Sequence, residues 1–514
     1  MYLTQGLHRA VQQQPDAVMT VCGDRTRTFT EVADRVARLA GALRELGVRP
    51  GDRVAMLALN SDRYSEYLLA TPWADAVLNP VNFRWSPAEI AYSLRDSDSK
   101  VLLVDDMFAP MVPTLREQVP GLGMVIHTGD GRAPHMTAAY EELIAQADPV
   151  PDARRGGDEL AGLFYTGGTT GFPKGVMLSH ANLMTSWLGS AASGLMVRPG
   201  AQTLHVAPMF HLADLASWGA TLLVGGGHVM IPAFDPAAVL AAIEAHRITD
   251  ALLVPTMIQL LVDHPAVAGH DLSSLRRVTY GASPIPQAVL ERAMRALPEA
   301  RFTQAYGMTE LAPIATLLSH EEHRGDLLRS AGRAAPHAEV RVVDPDGAEL
   351  PRGTVGEVVI RGGHVMQGYW RKPEETAAAL RDGWMHSGDG GRMDENGYLF
   401  IVDRIKDMIV SGGENVYSVE VESAVSHHPA VAQCAVIGVP DPEWGERVHA
   451  VLVLKPGAAV ECAELREHVK TRIAGYKAPR SIEIVEALPV SGAGKILKRE
   501  LRDRYWGQED RRVH

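Results

Sequence analysis

The sequence predicts an α/β protein with a large, multi-layered N-terminal domain, made of α/β sheets plus a β-rich subdomain, and a small α+β C-terminal domain. Three features of the pattern point there. Through the first two thirds of the chain, apolar runs of strand length alternate with segments of helical periodicity, which is how layered α/β folds read. From about Arg333 the apolar runs shorten and are separated by Gly, Pro and Asp, as in a β-rich unit. A charged stretch with a double glycine, DRIKDMIVSGGENVYSVEVE (403–422), then precedes a tail with helix, strand and helix signals of its own. With 514 residues, 46% of them hydrophobic, the chain is long enough to bury more than one core.

Taken in order, TFTEVADRVARLAGALRELGV places Val32, Val36, Leu39, Leu43 and Leu46 at helical spacing and ends at Gly47, a good helix terminus. Residues 52–59 read as a strand, 64–76 as a helix, and 76–81 and 100–104 as further strands. The Pro-, Asp- and Gly-rich segment 145–159 reads as a surface connection. Residues 160–165 form a short apolar strand, and 176–187 has helical content opening around Ser179. In LHVAPMFHLADLASWG a strand runs into Pro208 and yields to a helix beginning near His211. Strands are expected at 220–223, 229–231 and 251–254, with a helix at 236–246. Residues 277–280 lead into GASPIP and 301–305 into YGMTE; both loops follow strands, where ligands bind in open α/β sheets.

Composition removes several functions. Lys and Arg total 50 against 62 Asp and Glu, a net charge of -12, which argues against a general nucleic-acid or anionic-membrane surface. Cys22, Cys434 and Cys462 form no C-x-x-C pair, which argues against a disulfide framework and a zinc site and fits a reducing cytoplasm. The N-terminus lacks an apolar signal core, and the apolar region 215–234 is broken by Gly225 to Gly227, His228 and Pro232, so no transmembrane segment is expected.

The stretch YTGGTTGFPKG (165–175) concentrates groups that suit phosphate. Gly167, Gly168, Gly171 and Gly175 let the backbone close on an anion, Thr166, Thr169 and Thr170 add hydroxyl donors, and Lys174 adds a charge. It is not a Walker loop, because Pro173 and Gly175 flank Lys174 where that motif needs Gly before and Ser or Thr after. Alone, such a loop is as readily a surface turn; the rest of the chain decides.

YTGGTTGFPKGVMLSH, the PMFH segment, YGMTE, HSGD, DRIKD followed by SGGEN, and SGAGK followed by ILKREL occur in the order and rough spacing of the adenylate-forming enzymes. From about Thr28 to Leu501 the chain resembles an acyl-CoA synthetase, a fatty-acid or aryl-acid CoA ligase. The resemblance implies activation of a carboxylic acid by ATP to an acyl-adenylate, then transfer to coenzyme A, giving acyl-CoA, AMP and pyrophosphate. ATP, Mg²⁺ and coenzyme A are the implied cofactors and co-substrates.

Residue by residue, the resemblance places Thr166, Gly167, Gly168, Thr169, Thr170, Gly171 and Lys174 on the phosphates. Gly281, Ala282, Ser283, Tyr306 and Gly307 then wall the adenine, Thr309 bonds a phosphate, and Glu310 holds magnesium. Asp389 and Arg404 match the positions that bind the ribose hydroxyls, and Lys495 the catalytic lysine. Its ammonium would offset the repulsion between carboxylate and triphosphate. Lys406 aligns with the hinge, and Gly412, with Gly413 beside it, with the backbone that the pantetheine arm passes. His211 falls at the junction of acid pocket and pantetheine tunnel, and with Leu212, Ala213, Met308 and Ala312 forms the implied acyl pocket. Lys495, His211, Thr166 and Glu310 make up the implied catalytic group. Most relatives carry Ser where this loop has Gly167, so one hydroxyl donor is missing.

The implied division is an adenylation domain over 1–405 and a mobile C-terminal domain over 406–514, carrying Lys495. His211 stands where amino-acid-activating relatives have Asp, which favours an acid without an ammonium group, and the pocket helix (Leu212, Ala213, Leu215, Ala216 and Trp218) and the segment 311–317 read as nearly uncharged, consistent with an apolar acyl chain or ring. The expected substrate is a medium- or long-chain fatty acid, with an aryl acid or an amide-forming reaction as alternatives. A non-catalytic nucleotide- or acyl-binding protein is the competing class, against which Lys495, Glu310 and Gly412 together argue. The partners expected are small molecules, with no nucleic acid; a homodimer is left open.

Overall fold

The computed structural model describes residues 1–131, 133–166, 173–283, 285–404, 407–411, 414–490 and 496–506. Helix Phe29–Glu45 shows why the elements fall where they do. Thr28 and Glu31 close a reciprocal capping box at its start, and Val32, Val36, Leu39 and Leu43 form a fully buried stripe. That stripe shares a core with a mostly parallel sheet whose strand Arg53–Leu57 is apolar from Val54 onward because both of its faces are covered there. Val54 and Met56 enter one core, Ala55 and Leu57 another.

This sheet has eight strands, in the order Gly368–Tyr369, Lys174–Ser179, Leu160–Thr166, Val77–Pro80, Arg53–Leu57, Ser99–Val104, Met124–His127 and Ala138–Ala139. A second sheet has nine: Arg333–Ala334, Ile314–Leu318, Arg301–Gly307, Arg277–Gly281, Asp250–Leu252, Gln202–His205, Gly227–Met230, Val18–Cys22 and Arg25–Thr28. The largest core takes side chains from both, such as Val54 and Leu78 from the first and Met19, Met230 and Ile314 from the second. A five-stranded antiparallel sheet over residues 339–404 forms the β-rich unit. Beyond it, strands Val431–Asp441 and Gly445–Leu454 and helices Ser418–Ser426 and Cys462–Lys470 surround a separate core that includes Val421, Val436, Val448 and Leu465. The three cysteines are free.

The helix expected to open around Ser179 does so: Ser179 is the N-cap of His180–Ser193, and residues 174–179 before it are a strand paired antiparallel with Leu160–Thr166 in a hairpin. One local expectation is corrected. Residues 220–223 are the last turns of helix Leu212–Val224, which stops at the left-handed Gly225 (φ 74°). Their continuous apolar character reflects burial in a helix, which a short run does not distinguish from a strand.

Buried histidines make the fold sensitive to acid. His364 stands edge-on to His337 at 4.6 Å, and burial, then repulsion from His337, pulls its pKa down to about 3. Burial likewise holds His180 at about 4. The unfolded chain takes up these protons near pH 6.5, so as pH falls below that value the unfolded state binds more protons and stability drops. Replacing His364 by Phe is expected to flatten the fall of Tm between about pH 7 and pH 5, read by scanning calorimetry at both values.

Candidate active site

The glycine-rich loop is held by its two ends. Thr166 and Lys174 face each other across the hairpin, and the Tyr165 hydroxyl donates to Asp96 Oδ2 at 2.6 Å. Gly167, Gly168, Thr169, Thr170 and Gly171 lie outside the described residues. On the near side, the Lys174 ammonium sits 4.9 Å above the ring of Tyr369, whose hydroxyl donates to Glu310 Oε1 at 2.8 Å. Glu310 is 6% exposed, and its carbonyl accepts from the Met366 N–H at 2.8 Å. Tyr369 pairs in register with Val176. One tyrosine therefore ties the hairpin to the YGMTE loop, a role nothing in the local pattern QGYWR announces.

Adjacent strands Arg277–Gly281 and Arg301–Gly307 run parallel with Gly281 opposite Ala305. A Cβ on Gly281 would stand 2.1 Å from the Ala305 carbonyl oxygen, and one on Gly307 1.9 Å from that of Pro313, so both positions require glycine. Beyond Gly281 the chain turns through the left-handed Ala282 (φ 66°) into Ser283. The Tyr306 hydroxyl donates to Asp389 Oδ2 at 2.8 Å. Asp389 is buried, its N–H donates to Ser387 Oγ at 3.0 Å, and Arg404 lies opposite it across the sheet. Tyr306 and Asp389 so meet, with Thr309 and Glu310 on the turn that follows Tyr306. The side chain of Arg404 lies outside the described residues, as do Lys406, Gly412, Gly413 and Lys495.

His211 is the N-cap of helix Leu212–Val224, its Nδ1 accepting from the Ala213 N–H at 3.2 Å. His211, Ala213, Ser217 and Met308 are partly exposed, whereas Leu212 and Ala312 are packed into the core. The helix carries a charge that the apolar reading of the segment overlooked. Asp214 is fully buried, with Oδ2 3.0 Å from His205 Nδ1, and His205 Nε2 is 3.0 Å from His228 Nδ1. Burial, then His205, holds His228 well below its ordinary pKa. His228 is therefore neutral at neutral pH. Trp218, from the same helix, donates to Ser65 Oγ at 2.9 Å and packs edge to face on Trp187 at 6.0 Å.

Among the described residues no group of three or more His, Cys, Asp or Glu is arranged to hold a metal. Glu310 offers one buried carboxylate beside the glycine-rich hairpin, a donor set that suits magnesium when phosphate oxygens complete its shell. No helix among the described residues is long and apolar enough to cross a membrane.

The fold matches the crystal structure of ATP-bound MatB from Rhodopseudomonas palustris with a TM-score of 0.88 at 31% identity, covering 98% of this chain and 99% of that one. The architecture is that of an adenylate-forming ligase. Residues 7–370 match the AMP-binding enzyme family, residues 420–495 match the AMP-binding enzyme C-terminal domain, and the chain belongs to this family. It is 43% identical to a feruloyl-CoA synthase from Amycolatopsis sp over 499 residues, 97% of this chain and 98% of that protein. It is 36% identical to the medium/long-chain-fatty-acid–CoA ligase FadD8 of Mycobacterium tuberculosis, over 98% of this chain and 90% of that one. The protein is an AMP-forming acid–thiol ligase, an acyl-CoA synthetase that uses ATP and coenzyme A.

Proposed function

We propose that the acid is an aromatic carboxylic acid of the arylpropenoate type, activated with magnesium. The similarity of 43% along nearly the whole chain to a feruloyl-CoA synthase is the observation that carries this reading. The partly exposed face of helix Leu212–Val224 supports it, because Ala213 and Ser217, one turn apart, leave room for a flat ring and offer a hydroxyl to a polar substituent. A medium- or long-chain fatty acid is the second reading, favoured by the similarity to the fatty-acid ligase.

In this reading the acid carboxylate attacks the α-phosphorus of ATP, and pyrophosphate leaves. Thr166, Lys174 and the hairpin backbone hold the phosphates, Tyr306 stacks on adenine, and Asp389 and Arg404 bind the ribose. Magnesium, held by Glu310 and phosphate oxygens, would neutralise triphosphate charge. Lys495 stands between the two anions as they approach. The thiol of coenzyme A then attacks the adenylate carbonyl beside His211, and AMP departs. A boundary near Lys406 lets residues 406–514 rotate between the two steps, presenting Lys495 first and Gly412 second.

The test is a panel of hydroxycinnamates, benzoates and fatty acids assayed for pyrophosphate release and thioester formation. Arylpropenoates are expected to give the highest kcat/KM. Faster turnover of fatty acids would replace the aryl reading, and no pyrophosphate release from any acid would remove both. Gly412→Ala is expected to leave pyrophosphate release within about 2-fold while slowing thioester formation by on the order of 10-fold or more, because a Cβ obstructs the pantetheine arm. Rapid-quench measurement of each half-reaction checks this, and equal losses in both would contradict the assignment.

A further inference from the structure

We infer that Asn60 is a positioning residue for the acid site: its carboxamide locks the buried turn 206–210 and thereby sets where His211 stands. The inference rests on the reading of His211 as part of that site. Asn60 is 2% exposed and follows strand Arg53–Leu57 of the eight-stranded sheet. The turn it holds follows strand Gln202–His205 of the nine-stranded sheet.

Asn60 Nδ2 donates to the Ala207 carbonyl at 2.8 Å and the His205 carbonyl at 3.3 Å, and Oδ1 accepts from the Met209 N–H at 2.8 Å. Pro208, in the middle of the turn, has no N–H to contribute. A carboxamide supplies two donors and an acceptor in one plane, which neither a carboxylate nor a hydroxyl can do. Asn60 is itself held, since its N–H donates to Pro232 O at 3.3 Å and the preceding Leu59 N–H to Asp105 Oδ2 at 2.7 Å. At the far end of the turn Phe210 packs edge to face on Phe83 at 5.1 Å, and the His211 N–H closes onto Pro208 O at 2.9 Å.

One side chain just beyond a strand of the first sheet thus registers a segment just beyond a strand of the second. The placement of His211 depends on it, because shifts on the scale of 1 Å at a reacting group cost about 10² in rate. Asn79 provides the contrast. It is equally buried and its Nδ2 donates to Ser97 and Ser99 hydroxyls, both at 2.9 Å, so its bonds reach only the helix end and strand beside it and not the second sheet.

The experiment compares Asn60→Asp, Asn60→Ser and Asn79→Ala with the parent enzyme, using the panel acid that the parent activates best. The Asn60 variants are expected to lower kcat/KM for the acid by on the order of 10 to 10² while KM for ATP stays within about 2-fold. Asn79→Ala is expected to lower Tm and leave the acid KM unchanged. Combined with His211→Ala, the Asn60 losses are expected to fall short of additivity, as for residues acting through one another. Hydrogen exchange at the Met209 amide is expected to accelerate in the Asn60 variants. Equal changes in the acid and ATP constants, additive losses, or an Asn60 variant that behaves as Asn79→Ala does would overturn the inference. If no Asn60 variant folds, exchange in the parent decides: the Met209 amide is expected to be slowed more by acid plus ATP than by ATP alone, and equal protection overturns the proposal. A parent inactive toward every acid fails the functional reading, while exchange at Met209 in the variants still reports whether Asn60 holds the turn.

Discussion

Lys495→Ala is expected to slow pyrophosphate release by on the order of 10² to 10³ or more, the scale of losing one preorganised charge-stabilising group. The carboxylate and the α-phosphoryl group are both anionic, and a fixed ammonium between them offsets a repulsion that water alone screens poorly in a closed crevice. Attack by a thiol on the finished adenylate involves no such encounter. The variant supplied with synthetic acyl-adenylate is therefore expected to form thioester at close to the parent rate. Single-turnover assays of the two steps, with Tm as a control for folding, check both halves of the statement. Normal adenylation, or parallel loss of both steps, would remove Lys495 from this role and the two-arrangement mechanism with it.

Glu310→Gln is expected to lower adenylation by on the order of 10² or more, since the carboxylate is the one protein ligand proposed for magnesium and metal neutralisation of phosphate charge contributes several kcal/mol. Tyr369→Phe provides the finer test. It removes only the hydroxyl that donates to Glu310 Oε1 at 2.8 Å, leaving the ring under Lys174 in place. The magnesium concentration for half-maximal rate is expected to rise by about 10- to 100-fold, as for loss of a partner that orients a metal ligand, with the thioester step unchanged. An unchanged magnesium titration in Tyr369→Phe would show that the tyrosine packs without orienting the carboxylate.

The residues readable beforehand share one property: their chemistry is written in contiguous motifs. Glu310, Tyr306 and Asp389 sit in YGMTE and HSGD, loops or strands whose type and position suffice to propose a role, and Tyr306 and Asp389 meet in the fold. Tyr369 reaches Glu310 across 59 positions, and Asn60 reaches Met209 across 149. Neither lies in a stretch whose local pattern carries chemistry. Asp214 was masked by its setting, because an aspartate in an apolar helix reads as a solvent-facing residue until His205 is seen beside it. The misread segment fails for a related reason. Residues 220–223 are short and apolar, and whether such a run pairs as a strand or packs as a helix depends on the element that meets it.

The sequence by itself determined the alternation of elements, the β-rich unit after Arg333 and the ordered motifs of an adenylate-forming enzyme, because periodicity and motif chemistry are local properties of the chain. Only the tertiary structure decided which distant residues meet, with Tyr369 joining the glycine-rich hairpin to Glu310 and Asn60 holding the turn before His211. Those arrangements rest on hydrogen bonds between residues far apart in the chain, formed where burial leaves each polar group no partner but the one the fold brings to it.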